Sequence, residues 1–313
     1  MKSPQRVKVA AAVILRPDGQ FLLTQRPAGK PYPGYWEFPG GKMEAEESSE
    51  QALKRELNEE LGIHIEENYP WITRVYPYTH ASVELHFHRV MRWTGQLHSR
   101  ESQQLAWQSV NTVKVSPLLP ANKAVLRALA LPEHYAISNV DELGREQFMR
   151  RLEQSLQGGL RMVQLREKNL PRAELKELAQ EVIALAHRHQ ARALLNSEFS
   201  LAKELAADGV HLTSAQLMRL DRRPPLPWCG ASCHNREELQ RAAEMGIDFA
   251  VLGPVLPTTS HQNRPAMGWE EFGKLISGFS LPVYALGGMR WTHLRTAWQH
   301  GAHGLAMLHG AWA

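Results

Sequence analysis

Apolar and polar positions along the chain change their period more than once. The opening stretch "VKVAAAVILRPDGQFLLTQRP" consists of two β-rich apolar runs split at Pro17, Asp18 and Gly19. That is a turn signal between two predicted strands. Further on the spacing becomes helical. Leu53, Leu57 and Leu61 recur four apart and cover an arc of roughly 80° at about 100° per residue. Glu56, Glu59 and Glu60 occupy the neighbouring arc, so Glu56 and Glu60 border the predicted buried stripe. Ser48 or Ser49 is placed to cap this helix. Ahead of it, Gly40 and Gly41 let the backbone turn sharply and approach a ligand closely. The predicted order is strand, glycine loop, acidic helix.

From Tyr135 a third pattern begins. Eight short apolar, β-rich runs follow one another: "YAISNV", "RMVQLRE", "ARALLNS", "GVHLTS", "WCGASC", "FAVLGPVL", "LPVYALGG" and "GLAMLHG". Amphipathic helical stretches such as "RAELKELAQEVIALAHRHQ" and "NREELQRAAEMG" separate most of them. Eight strand–helix units predict a (β/α)8 TIM barrel, compact beside the roughly 250 residues typical of that fold. Such barrels work at the carboxyl ends of their strands, where Gly287, Gly288 and Gly304 suit a phosphate site. The expected organisation is therefore a two-domain α/β chain, with domains at 1–131 and 135–313.

Composition narrows the function without choosing it. The chain has 313 residues, long enough for two domains of ordinary size, with 43% hydrophobic and 22% charged residues. No apolar run is long enough to span a bilayer, and the first residues reach charge and a turn too soon for a signal peptide. Cytoplasm is the expected compartment, and no membrane partner is expected. A net charge of +4 and a pI near 9.1 come without a basic stripe interleaved with aromatics, so no nucleic-acid duplex is expected as partner. Two cysteines, Cys229 and Cys233, exclude a disulfide framework and read as reduced residues at the end of a buried strand.

The acidic helix raises an electrostatic question. Like carboxylates three and four residues apart repel by a few tenths of a kcal/mol. Read alone, the cluster is either a solvated charged face or, at the edge of a core, a place for a divalent cation with oxygen ligands. The residues upstream bear on this choice. Gly41, Glu47 and the run Arg55 to Ile63, "RELNEELGI", match every fixed position of the Nudix box. The N-terminal half thus resembles the Nudix hydrolases, which implies an α/β/α sandwich with a mixed sheet and cleavage of a nucleoside diphosphate linked to another group. Carried over by motif position, the resemblance implies Glu56, Glu59 and Glu60 as ligands of Mg²⁺ (or Mn²⁺), with the Gly40 carbonyl beside them. It implies that Arg55 and Glu47 orient this cluster; an ordinary helix salt bridge is the other reading of that pair. Metal ions in such a site neutralise the phosphate oxygens, orient the diphosphate and lower the pKa of a bound water.

Outside the box, "EFPGGK", "WQSV" and "LPANKAVLRAL" resemble the MutT branch, which clears oxidised guanine nucleotides and so limits mutation. The resemblance makes Asn122 the reader of the base. An amide donates and accepts at once, so it can pair with O6 and with the N7–H that appears only in 8-oxoguanine. Locally, Asn122 is equally natural as a helix N-cap. Arg26 is a candidate phosphate or base contact, and Phe38 either lines the base pocket or packs in the core. The chain departs from the branch at Ala106, where a further acidic ligand is expected; Glu101 is the candidate replacement, as ligand or base. The implied activity is hydrolysis of 8-oxo-dGTP to 8-oxo-dGMP and pyrophosphate. A cytosine nucleotide or a pyrophosphorylated thiamine precursor is the alternative substrate.

The barrel's strand ends, from "VQLREK" through "GASCH" to "ALGGM", resemble thiamine-phosphate synthase and the related thiazole tautomerase. Gln164, Arg166, Lys168, Asn196, His234, Thr258, Gly287 and Gly288 fall at positions that face substrate in that family. Two aspartates that hold Mg²⁺ in the synthase correspond to Ser197 and Gln216 here, and a phosphate-binding lysine to His261. These losses imply no synthase reaction. They leave binding of a thiazole or thiamine phosphate, a metal-free proton shift using His234, or a barrel kept for stability or for regulating the first domain.

Overall fold

The computed structural model describes residues 6–79, 81–101, 103–258 and 265–312. The chain forms two compact units, Met1–Leu131 with Ser277–Ser280, and Pro132–Ile276 with Leu281–Ala313. Among the described residues no helix is long and apolar enough to cross a membrane.

The first unit contains strands β1 (Val7–Ile14), β2 (Phe21–Gln25), β3 (Trp36–Glu37), β4 (Gly40–Lys42), β5 (His64–Pro77), β6 (Ser82–Thr94) and β7 (Leu105–Gln108). Its helices are α1 (Ser49–Leu61) and α2 (Asn122–Leu129). A mixed four-stranded sheet has the order β4-β1-β6-β5, with β1 parallel to β6 and antiparallel to β4. A second sheet has the order β3-β2-β7. The turn after β1 forms as predicted, with Gly19 at φ +79° and the Gln20 amide donating to Asp18 Oδ1 at 3.0 Å. Yet β1 and β2 share only the bridge between Leu15 and Phe21 before parting into different sheets.

Strand β1 explains the layering. Its side chains alternate between two cores, as a strand period of two requires. Ala10, Ala12 and Ile14 pack with Leu53, Leu57 and Leu61 of α1. Ala11 and Val13 pack with Phe21, Phe38, Phe87 and Val125 on the other face. Helix α1 is capped by Ser48, whose side chain accepts from the Gln51 amide while the Gln51 side chain returns the bond; Gly62 closes it in the left-handed region. Ser49 does not cap. Its Oγ meets Nε2 of the buried His88 at 2.9 Å, and His88 Nδ1 meets Asn68 Oδ1 at 2.9 Å. Burial drives that imidazole down to about 4, so the neutral ring ties the start of α1 to β5 and β6.

The second unit is a closed parallel barrel of eight strands, and each predicted apolar run overlaps one of them. They are β8 (His134–Ile137), β9 (Met162–Leu165), β10 (Arg192–Asn196), β11 (Gly209–Leu212), β12 (Trp228–Cys233), β13 (Phe249–Leu252), β14 (Val283–Leu286) and β15 (Gly304–Met307). Most of the strands are shorter than the runs, whose last residues enter the loop that follows; β12 fills its run completely. Cys229 lies near the start of β12 and Cys233 at its end; both are buried and neither forms a disulfide. The interior is filled by Tyr135, Phe249 and Tyr284, with ring centroids 5.3–5.9 Å apart. The barrel is therefore a packed core, and ligands can enter only at its rim.

Candidate functional site

In the first unit, α1 presents its glutamates toward the glycine loop. A Cβ added to Gly41 would lie 2.0 Å from the Glu56 carboxyl carbon, so the absent side chain is what lets that carboxylate settle on the backbone. Gly40, at φ +145°, would likewise meet the Ala10 carbonyl oxygen at 2.1 Å. Glu60 is buried at 5% exposure, whereas Glu59 is exposed. Burial pushes the Glu60 carboxyl up to about 7, with Lys30 opposing the rise and Glu101, Glu56 and Glu37 adding to it.

Arg55 grips Glu47 with two bonds, Nε to Oε1 at 3.1 Å and Nη2 to Oε2 at 3.0 Å. It also donates to Glu56 at 2.8 Å and to the Lys42 carbonyl at 3.0 Å. These bonds hold the Glu47 carboxyl below its ordinary range and raise the guanidinium. Neither residue lines the adjacent cavity, so the geometry fits an orienting pair.

That cavity has a volume of about 520 Å³ and is lined by Arg26, Lys30, Tyr32, Glu37, Gly40 and Gly41, and further by Glu56, Glu60, Tyr78 and Leu119. Arg26 Nη1 holds both oxygens of Glu37 at 2.7 and 2.5 Å, and Nε donates to the Pro31 carbonyl at 2.6 Å. Burial raises the Glu37 carboxyl, and Arg26 opposes this. Lys30 reaches Glu60 Oε1 at 3.5 Å and Glu101 Oε2 at 3.0 Å. Glu101, the candidate replacement at Ala106, therefore stands beside Glu60.

Two residues with two sequence readings each are placed as follows. Phe38 is 4% exposed and packs on Phe21 and Phe87 at 5.7 and 5.8 Å, within the core and away from the cavity lining. Asn122 is not the N-cap of α2, which is Ala121; its buried amide donates to the Trp36 carbonyl at 3.2 Å and does not line the cavity, although Leu119 does. Sequence reading missed Lys30, Glu37, Tyr32, Tyr78 and Gln103. The one signal for Lys30 was general: crowded carboxylates need a counter-cation.

Among the described residues no three His, Cys, Asp or Glu side chains already converge as a metal cluster. The donor set nevertheless suits a hard divalent cation. It is all oxygen, it includes a buried carboxylate, Glu60, that burial disfavours as an anion, and the Lys30 ammonium stands between that carboxylate and Glu101. Glu56, Glu59, Glu60 and the Gly40 carbonyl are the groups that could hold it.

In the barrel, one cavity of about 510 Å³ brings together all eight predicted residues: Gln164, Arg166, Lys168 and Asn196, with His234, Thr258, Gly287 and Gly288. A Cβ on Gly287 or Gly288 would come within 2.7 Å of Pro254 or 2.8 Å of Leu256, so the pair must be glycine for the loop to pass. Ser197 and Gln216 meet each other with no charge between them. Gln216 Nε2 donates to the Ser197 carbonyl at 3.2 Å, and Asn196 Nδ2 donates to Ser197 Oγ at 3.1 Å. His261 lies outside the described residues. His234 Nδ1 meets Glu238 at 3.0 Å. A second histidine, His211, was not foreseen. It lines the cavity, meets Tyr135 and Ser232 at 3.3 and 3.0 Å, and is driven down to about 3 by burial and then by Arg166.

Comparison with known proteins divides the chain in the same way. The family model described as "NUDIX domain" matches residues 4–129, and the model "Thiamine monophosphate synthase" matches residues 134–311. The CTP pyrophosphohydrolase of Escherichia coli is 41% identical over 39% of this chain and 90% of its own length. The 8-oxo-dGTP diphosphatase of Haemophilus influenzae is 35% identical over 41% of this chain and 94% of its own. The thiamine-phosphate synthase of Methanospirillum hungatei is 35% identical over 50% of this chain and 77% of its own. With the α1 glutamates inside the first match and the barrel-rim residues inside the second, the chain belongs to the thiamine monophosphate synthase family and carries a Nudix hydrolase domain at its N-terminal side.

Proposed function

We propose that the Nudix domain is a Mg²⁺-dependent pyrophosphohydrolase of nucleoside triphosphates, converting 8-oxo-dGTP and water to 8-oxo-dGMP and pyrophosphate. The observation that carries the reading is the buried Glu60 beside Glu56 at the mouth of a nucleotide-sized cavity. Bound Mg²⁺ would supply charge neutralisation at the phosphates and acidify a water. The chain's own residues have separate tasks. Glu56, Glu59 and Glu60 offer the oxygen ligands, and Arg55 with Glu47 keeps Glu56 from rotating away. Arg26, held by Glu37 and the Pro31 carbonyl, gives one wall a fixed guanidinium, and Tyr32 and Tyr78 offer aromatic faces at 5.5 Å from each other.

A second reading, CTP as substrate, is favoured by the committed amide of Asn122 and by the 41% identity to the CTP enzyme. Pyrophosphate release measured over a panel of nucleoside triphosphates and thiamine pyrophosphates decides. The first reading expects 8-oxo-dGTP to lead in kcat/KM, and expects Asn122→Ala to lower that preference by roughly tenfold or more while dGTP hydrolysis holds. A panel led by CTP, with Asn122→Ala silent, selects the second.

For the barrel we infer metal-independent binding of a small phosphorylated ligand such as a thiazole or thiamine phosphate. The support is the neutral Ser197–Gln216 contact where two aspartates would be needed. Calorimetry with thiamine phosphate should give the same Kd with Mg²⁺ or with EDTA, and Lys168→Ala should weaken it by roughly tenfold. Binding that requires Mg²⁺ would contradict this.

A further inference from the structure

A line of hydrogen-bonded side chains runs from the packed interior of the barrel to its cavity. Gln164 Nε2 donates to the Tyr135 hydroxyl at 3.0 Å, that hydroxyl meets His211 Nδ1 at 3.3 Å, and His211 Nε2 meets Ser232 Oγ at 3.0 Å. Gln164, Tyr135 and His211 are buried. Ser232 lines the cavity, whereas Tyr135 does not. Binding of a phosphorylated ligand, as argued above, gives this line no task.

We propose that the line is a one-way relay that fixes Ser232 as a hydrogen-bond donor to an acceptor atom of the barrel's ligand, with His211 and Tyr135 as positioning residues. Its direction follows from what each member can do. An amide nitrogen only donates, so the Tyr135 oxygen accepts from Gln164. The Tyr135 proton then goes to the other partner of that hydroxyl, His211 Nδ1. A neutral imidazole that accepts at Nδ1 carries its proton at Nε2. That proton points to Ser232 Oγ, and the serine's own proton is left for the cavity. Run the other way, the line would strand the Tyr135 proton in the interior as an unpaired buried donor, which is costly. The ring stays neutral because burial, and after it the Arg166 guanidinium, drives it down to about 3. Packing holds it in place, with its centroid 5.7 Å from that of Tyr135 and 6.0 Å from that of Phe249. A Cβ on Gly230 would lie 2.7 Å from His211 Nδ1, so the missing side chain on β12 makes room for the ring. A ligand that brings a donor to this point meets a second donor and is rejected.

The phosphorylated ligand rests on the binding reading above; the relay is tested both with it and without it. In the whole chain labelled with ¹⁵N-histidine, long-range proton–nitrogen spectra should show His211 as the Nε2–H tautomer down to about pH 5. Tyr135→Phe keeps the ring and the cavity lining but removes the hydroxyl, so a share of the Nδ1–H form should appear. In calorimetry, thiamine phosphate should bind about fivefold more weakly to Ser232→Ala and about threefold more weakly to Tyr135→Phe, although Tyr135 does not reach the cavity. The double variant should bind no more weakly than Ser232→Ala alone, because both changes break one line. Circular dichroism establishes that each variant is folded; should Tyr135→Phe fail to fold, the tautomer of the parent decides. A parent ring in the Nδ1–H form, or losses that multiply in the double variant, overturns the relay. A parent that holds the Nε2–H tautomer but does not bind thiamine phosphate overturns the binding reading alone.

Discussion

Replacing Glu60 by Gln is expected to abolish pyrophosphate release while making the metal-free protein more stable. The two effects share one cause. Burial raises the Glu60 carboxyl from an ordinary 4.5 to about 7, so at pH 8 the folded protein holds an anion that its surroundings disfavour. At about 1.36 kcal/mol per pKa unit this costs up to about 3 kcal/mol. The sign follows from the raised value. The metal-free fold binds this proton more tightly than the unfolded chain, so its stability falls as pH rises from about 4.5 to about 7. Neutral glutamine removes that cost, and the gain should appear in urea unfolding at pH 8 and vanish near pH 4. It also removes a charged ligand. A metal's charge stabilisation is worth several kcal/mol, so a loss of about a thousandfold in kcat is expected. Mg²⁺ should stabilise the parent and leave Glu60→Gln unchanged. Full turnover in the variant, or a stability gain that ignores pH, would remove Glu60 from the metal site.

Phe38→Ala is expected to act on folding and not on base choice. Phe38 is buried in the core between Phe21 and Phe87. Truncating a core aromatic costs about 3–5 kcal/mol through lost transfer energy and the cavity left behind. Denaturant unfolding should show this loss, and the folded fraction should keep the parent's ratio of kcat/KM values between 8-oxo-dGTP and dGTP. A near-neutral stability with an altered ratio would return Phe38 to the base pocket.

The strand period already favoured the core reading of Phe38. In "WEF", Glu37 faces the cavity, so alternation sends Trp36 and Phe38 together to the opposite side. The leucine stripe, the Ser48 cap and the eight barrel runs were legible because each depends on local periodicity and burial. The parting of β1 and β2 was not, since their turn residues specify a reversal and not which strand pairs next. The cap reading of Asn122 fails for a related reason: "PAN" has cap chemistry, but the helix begins one position earlier and turns the amide toward Trp36. Lys30 and Gln103 act through contacts over long sequence separations, which no spacing rule reaches.

The alanines of β1 acquire a role that their inertness conceals. Ala10 and Ala12 lie directly under the leucines of α1, so two methyl groups set the height at which the helix rests on the sheet. Interiors this densely packed transmit added volume instead of absorbing it. A residue such as Val at position 12 would act as a shim, lifting Glu56 and Glu60 relative to the glycine loop. A change out of reach of any substrate would then register as an altered metal affinity, and the gauge of the active site would be found in its least reactive strand.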